Sequence, residues 1–158
     1  MMELGSKAPD FTLHDTVSGN PVTLSEVKSD TATLVEIAKI YQAKAIQFIA
    51  ISSNDIDYSP EDGPKYMTKI AKMEGYTFPY LYDATQAVAK AYNAECTPDF
   101  FVFDGNLECA YRGRFDETRP GMGQPTGVDL SNALDALIDG EKVFTDQKPS
   151  MGCSIKWK

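Results

Sequence analysis

The chain has 158 residues, which suits one domain with a sizeable core, and its 42% hydrophobic and 24% charged composition is that of a globular protein. Against 15 Lys and Arg stand 23 Asp and Glu, a formal net charge of −8 that argues against nucleic acid and anionic membrane surfaces as partners. No run of about 18 apolar residues exists to span a bilayer. The opening MMELGSKAPDF lacks the apolar stretch of a secretory signal, so the expected location is cytoplasmic.

From the N-terminus, Phe11 to Leu13 and Val22 to Leu24 read as two short strands across a Ser-Gly-Asn-Pro turn, with Ser25 able to cap a short helical turn. Leu34 to Ala45 carries Leu34, Ile37, Tyr41 and Ala45 at helical spacing, with Ala38 and Ile40 alongside. Residues 46 to 52, IQFIAIS, are short and β-branched and predict a buried strand. A helix follows over Ser59 to Gly75, started near Pro60, with Tyr66, Ile70 and Met73 on its inward face. Thr77 to Tyr82 is extended, and Thr85 to Tyr92 is a short helix with Val88, Ala91 and Tyr92 inward.

The clearest signal in the chain is a hairpin. Asp99 to Phe103 and Leu107 to Arg112 flank Asp104-Gly105-Asn106, and Asp-Gly between apolar runs favours a tight turn. Asp116 to Gly127 is a Gly- and Pro-rich loop. Asp129 is placed to cap a helix with the stripe Leu130, Leu134, Leu137 and Ile138, ending at Gly140. This order predicts a single α/β domain over 1–158, with a mixed sheet flanked by helices and an extended tail from about 141.

Three cysteines, Cys96, Cys109 and Cys153, are too few and too uneven for a disulfide framework, and no Cys-x-x-Cys occurs. One histidine, His14, rules out a His-rich zinc site and reads as a surface residue. Asp55, Asp57, Glu61 and Asp62 form a carboxylate cluster whose loop position favours solvation and capping over metal binding.

The segments GSKAPDFTLHDTVSGNPVTLSEV, FIAISSNDIDYSPEDGPKYM, GYTFPYLYDATQAVAKAYNAECTPDFFVFD, YRGRFDETRPG and GCSIKWK resemble the peroxiredoxin-like redoxins, in the subgroup usually described as thiol–disulfide isomerases or thioredoxin-like proteins. The resemblance implies a thioredoxin-like fold and a cis Thr97–Pro98 bond, with Thr97 and Pro98 lining a substrate groove. It also implies chemistry by a Cys-x-x-Cys pair at a helix start, where free N–H groups and the helix dipole stabilise a thiolate. That pair belongs between Thr33 and Leu34, and it is absent. Roughly twenty residues are missing there, judged by the strand and loop that a βα entry needs.

With the pair absent, Cys96 is the remaining candidate nucleophile, although Glu95 and Asp99 beside it disfavour its thiolate. Cys109, alternating with Leu107 and Tyr111, reads as core. Cys153 in the tail is either exposed or tucked in with Ile155 and Trp157. Arg112, Arg114 and Arg119 form a basic cluster: ion pairing with Asp116 and Glu117 is the plainer role, and support of a thiolate or peroxide by Arg112 or Arg114 is the role that the resemblance implies. The expected function is thiol-dependent oxidoreduction on a disulfide, thiol or peroxide, with a dithiol reductant as partner and no cofactor or metal. The rival is a redox-inactive binding module of the same fold.

Overall fold

The computed structural model describes residues 2–23, 33–118 and 124–158, so the predicted ends at Leu24 and Ser25, and Arg119, fall outside the described residues. The chain forms two compact units, Met1–Pro9 with Tyr92–Ile155, and Asp10–Ala91 with Lys156–Lys158.

In the second of these, β1 (Thr12–His14) pairs antiparallel with β2 (Pro21–Thr23), within a residue of the predicted hairpin. Asp15 fixes the turn between them. Its buried carboxylate accepts N–H groups from Ser18 (2.9 Å), Tyr80 (3.1 Å) and Val17 (3.3 Å). Burial alone would raise its pKa, but these hydrogen bonds outweigh burial and lower it.

Helix α1 (Thr33–Gln42) buries Val35, Ile37, Ala38 and Tyr41 and leaves Ile40 exposed. It stops three residues before the predicted end at Ala45, which has a φ of 65° and cannot continue a right-handed helix. The apolar run after it gives a strand only at β3 (Ala50–Ser52), parallel to β4 (Tyr80–Tyr82) in the register Ile51↔Leu81. Leu81 is fully buried, whereas every residue of β3 is half-buried rather than buried as predicted.

The predicted helix over Ser59 to Gly75 is broken. A 3-10 turn at Pro60–Asp62 precedes α2 (Pro64–Met73), because Pro64, at the first turn of α2, has no N–H to continue an earlier helix. The predicted inward face is also corrected. Met67 and Ala71 are buried, while Tyr66, Ile70 and Met73 are exposed. Both sets have helical spacing, so periodicity alone leaves the phase open. Helix α3 (Ala87–Ala91) likewise buries Ala89 and Tyr92 follows buried, but Ala91 is exposed.

The other unit is built on the predicted hairpin. Strands β6 (Phe100–Phe103) and β7 (Cys109–Gly113) pair antiparallel with an irregularity at Val102/Phe103. Asp104 Oδ1 accepts the N–H groups of Asn106 (2.8 Å) and Glu108 (2.9 Å), which holds the turn. Leu107, read as a strand residue, lies in that turn with a φ of 59°. Tyr92 packs edge-on against Phe101 and Phe103, and Tyr111 against Phe144. Helix α4 (Val128–Ile138) buries Leu130, Ala133 and Leu134 and ends before Gly140, at a φ of 70°.

Asp129 does not cap α4. Gly127 holds the cap position without a side-chain bond, and Asp129, two residues on in the first turn, pairs with Arg114 at 2.5 Å. Among the described residues, neither Arg112 nor Arg114 forms the expected ion pair with Asp116. Asp116 is 3% exposed, and both its oxygens take donors from its own loop, namely the N–H groups of Thr118, Thr126 and Gly127 and the hydroxyls of both threonines.

The tail after α4 is not wholly irregular. Cys153–Ser154 forms β8, antiparallel to β5 (Cys96–Thr97).

Candidate functional site

The Thr97–Pro98 peptide bond is cis. It sits between β5 and β6, so the backbone of Cys96 and Thr97 runs as a strand directly into the hairpin. The register against the tail is Cys96↔Ser154 and Thr97↔Cys153. Successive strand residues face opposite sides, so Cys96 shares a face with Ser154 and Cys153 shares the other with Thr97. The two sulfurs are thereby directed apart, and all three cysteines are free thiols.

Cys96 is half-buried, with Sγ 3.7 Å from Pro98 O. Burial raises its pKa first, and the charges of Asp99 and Glu95 raise it further, to about 11. At neutral pH only about one part in ten thousand is then thiolate. Cys109 is buried, as its place in the alternation predicts, and burial raises its pKa against an opposing pull from Arg112. Cys153 is exposed, while Ile155 is buried and Trp157 remains partly exposed.

The tail is fastened over this edge at several points. Thr97 Oγ1 donates to Cys153 O at 3.3 Å, and Arg114 N donates to Lys148 O at 3.1 Å. Ser150 Oγ lies 2.5 Å from both Asp99 Oδ1 and Gly113 O. Burial raises the pKa of Asp99, against the hydrogen bonds that its carboxylate accepts from Ser150 Oγ and Glu95 N. Two glycines permit the crossing. A Cβ on Gly152 would sit 2.7 Å from Thr97 C and closer still to Thr97 O. A Cβ on Gly113, at a φ of 152°, would run into Lys148 O. Neither the β5–β8 ladder nor its glycine crossing was legible in the sequence, where GCSIKWK carried no partner signal.

The arginines separate in role. Arg114 is committed to Asp129. Arg112 lies on β7 opposite Phe101, and its buried Nε has no hydrogen-bond partner among the described residues. His14 is exposed, with Nδ1 3.2 Å from Gly19 O. Asp55 and Asp62 serve local bonds to Asp57 N and Asn54 Nδ2, and among the described residues no group of three or more His, Cys, Asp or Glu is arranged to hold a metal. No helix among them is long and apolar enough to cross a membrane.

An uncharacterized conserved protein from Geobacillus kaustophilus, of known crystal structure, is 49% identical over all of this chain and 94% of its own, with a TM-score of 0.93. Peroxidoxin BcpB from Mycobacterium tuberculosis is 18% identical, with a TM-score of 0.62 over 87% of this chain and 99% of its own, and it shares the fold alone. The fold is thus the thioredoxin-like mixed α/β fold. Among curated proteins, the thiol-disulfide oxidoreductase ResA of Geobacillus kaustophilus is 27% identical, and the match covers 66% of each chain. The redoxin family profile matches residues 29–133, two thirds of the chain, and the protein belongs to the redoxin family.

Proposed function

We propose that this redoxin carries out thiol–disulfide exchange at the β5 edge, with Cys96 as the reacting sulfur and with Thr97 and Pro98 positioning the substrate. One observation carries this reading. Of the two cysteines inside the family-matched stretch, Cys109 is buried and Cys96 alone is partly open to solvent.

In the exchange, the Cys96 thiolate attacks one sulfur of a substrate disulfide and forms a mixed disulfide, and the other substrate sulfur leaves as a thiol. An external dithiol then attacks the mixed disulfide, becomes oxidised to its own disulfide, and returns Cys96 and the second substrate thiol in reduced form. A peroxide would instead give a sulfenic acid on Cys96 and release an alcohol or water. In that case Arg112 is the available cationic support, since Arg114 is held by Asp129. Three unpaired cysteines suit a reducing compartment, which supports a cytoplasmic setting.

The second reading is a thioredoxin-like binding module without redox turnover. It is favoured by the rise of the Cys96 pKa to about 11.

Reduction of a mixed-disulfide peptide by dithiothreitol, followed at pH 7 to 10, separates the two. Exchange through Cys96 predicts a rate that rises about tenfold per pH unit below the thiol pKa. Cys96→Ser should abolish the catalysed rate, and Glu95→Gln should raise it a few-fold at pH 8 by removing a charge that disfavours the thiolate. A Cys96→Ser protein as fast as the parent would overturn the exchange reading in favour of the binding module.

A further inference from the structure

We infer that the β5 edge is a binding site for an extended peptide with glycine at one fixed position, and that the chain's own strand β8 is its resident occupant. This rests on the reading of Thr97 and Pro98 as the substrate edge and adds what the edge selects and what covers it.

Strand addition satisfies backbone groups along an open edge, and side-chain fit then selects among peptides. Both parts are present here. Ile155 N donates to Glu95 O at 3.4 Å, which marks Glu95 and Ile155 as a hydrogen-bonded pair. Such pairs recur every second residue in an antiparallel ladder, so Thr97 and Cys153 form the next one. The main chain of Thr97 is therefore engaged by the tail. An incoming peptide can pair with Thr97 only where β8 has left.

Selection comes from Gly152. The tail crosses Thr97–Pro98 so closely that a Cβ at position 152 would overlap Thr97 O and lie 2.7 Å from Thr97 C, both of them backbone atoms that cannot swing aside. A peptide seated in the same way needs glycine there, followed by residues that accept an extended backbone. The ladder is only two residues long, and Cys153 and Ser154 are both exposed, so Ile155 beside them is the buried apolar side chain that opening must release.

Two measurements on the full chain test this. In the first, hydrogen exchange at the amides of Cys153 and Ile155 should be at least 100-fold faster than at the β7 amides. Equal protection would mean that β8 opens only with global unfolding, and would overturn the inference.

The second uses the labelled synthetic peptide of residues 152–158 carrying Cys153→Ser. It should bind the full-length Gly152→Ala protein at least tenfold more tightly than the parent, and a peptide that itself carries Gly152→Ala should bind neither. Equal binding to parent and variant, or no loss with the alanine peptide, would overturn the inference. Should Gly152→Ala fail to fold, the exchange measurement on the parent still decides. The peptide has no thiol, so binding without any Cys96-dependent exchange would sink the redox reading and leave this one standing.

Discussion

Asp116→Ala lowers stability at pH 7 by about 3 kcal/mol, and the melting temperature by about 6–12 °C at this chain length. The carboxylate is almost fully buried and takes backbone donors at 2.8 Å from Thr118, 2.6 Å from Thr126 and 2.7 Å from Gly127. Alanine leaves these N–H groups without an acceptor, and each buried orphan costs about 1–3 kcal/mol before the loop relaxes. The effect reaches α4, because Gly127 is its N-cap residue. Burial alone would raise the Asp116 pKa, but the donors hold it at about 2. The folded value lies below the unfolded one of about 3.9, so the contribution is whole above that value and is lost as pH falls toward 2. Urea unfolding of both proteins at pH 7 and at pH 3 checks this. The gap in midpoint should be wide at pH 7 and narrower at pH 3, and coincident midpoints at pH 7 would refute the role of Asp116.

Gln86→Ala is expected to cost about 2 kcal/mol and to free the end of the tail. Gln86 is 1% exposed, and its amide reads main chain alone. Nε2 donates to Ser53 O and to Lys156 O, both at 2.8 Å, and Oε1 accepts Lys158 N at 3.0 Å. Asn54 Oδ1 adds a bond from Lys156 N at 2.9 Å. Trp157, the single tryptophan, lies between these anchors under Lys90, whose Nζ is 5.5 Å from the ring centroid. Its emission should shift to the red in the variant well before denaturant unfolds the rest. Gln86 also holds a φ of 62°, so Gln86→Gly removes the same bonds while easing the backbone, and should prove less costly than alanine by up to about 1 kcal/mol. Unchanged emission and midpoint in the alanine variant would show that the tail is held by other contacts.

Local chemistry was the part of this molecule that its sequence disclosed well. Asp104-Gly105 announced the β6–β7 hairpin, Ser18 to Pro21 announced the turn before β2, and Gly140 the stop of α4, each through a preference that acts within a few residues. What escaped depended on contacts far along the chain. Met67 and Ala71, rather than Tyr66 and Ile70, face inward on α2 because of what that helix packs on, and no spacing rule supplies a partner. Asp129 looked like a cap because it precedes an apolar stripe, yet Arg114, 15 residues away, claims it. For the site, the Glu95 and Asp99 charges against a Cys96 thiolate were legible from adjacency. The strand formed by Cys153 and Ser154 was not, since a two-residue strand exists only by virtue of its partner.

The three cysteines of one unit span a graded series of depth, with Cys153 on the surface, Cys96 half sunk and Cys109 sealed within β7. A thiol reagent applied during unfolding therefore meets them in sequence. The native chain carries its own stopwatch, in which the delay between the second and third labels measures how long the hairpin outlives the edge beside it.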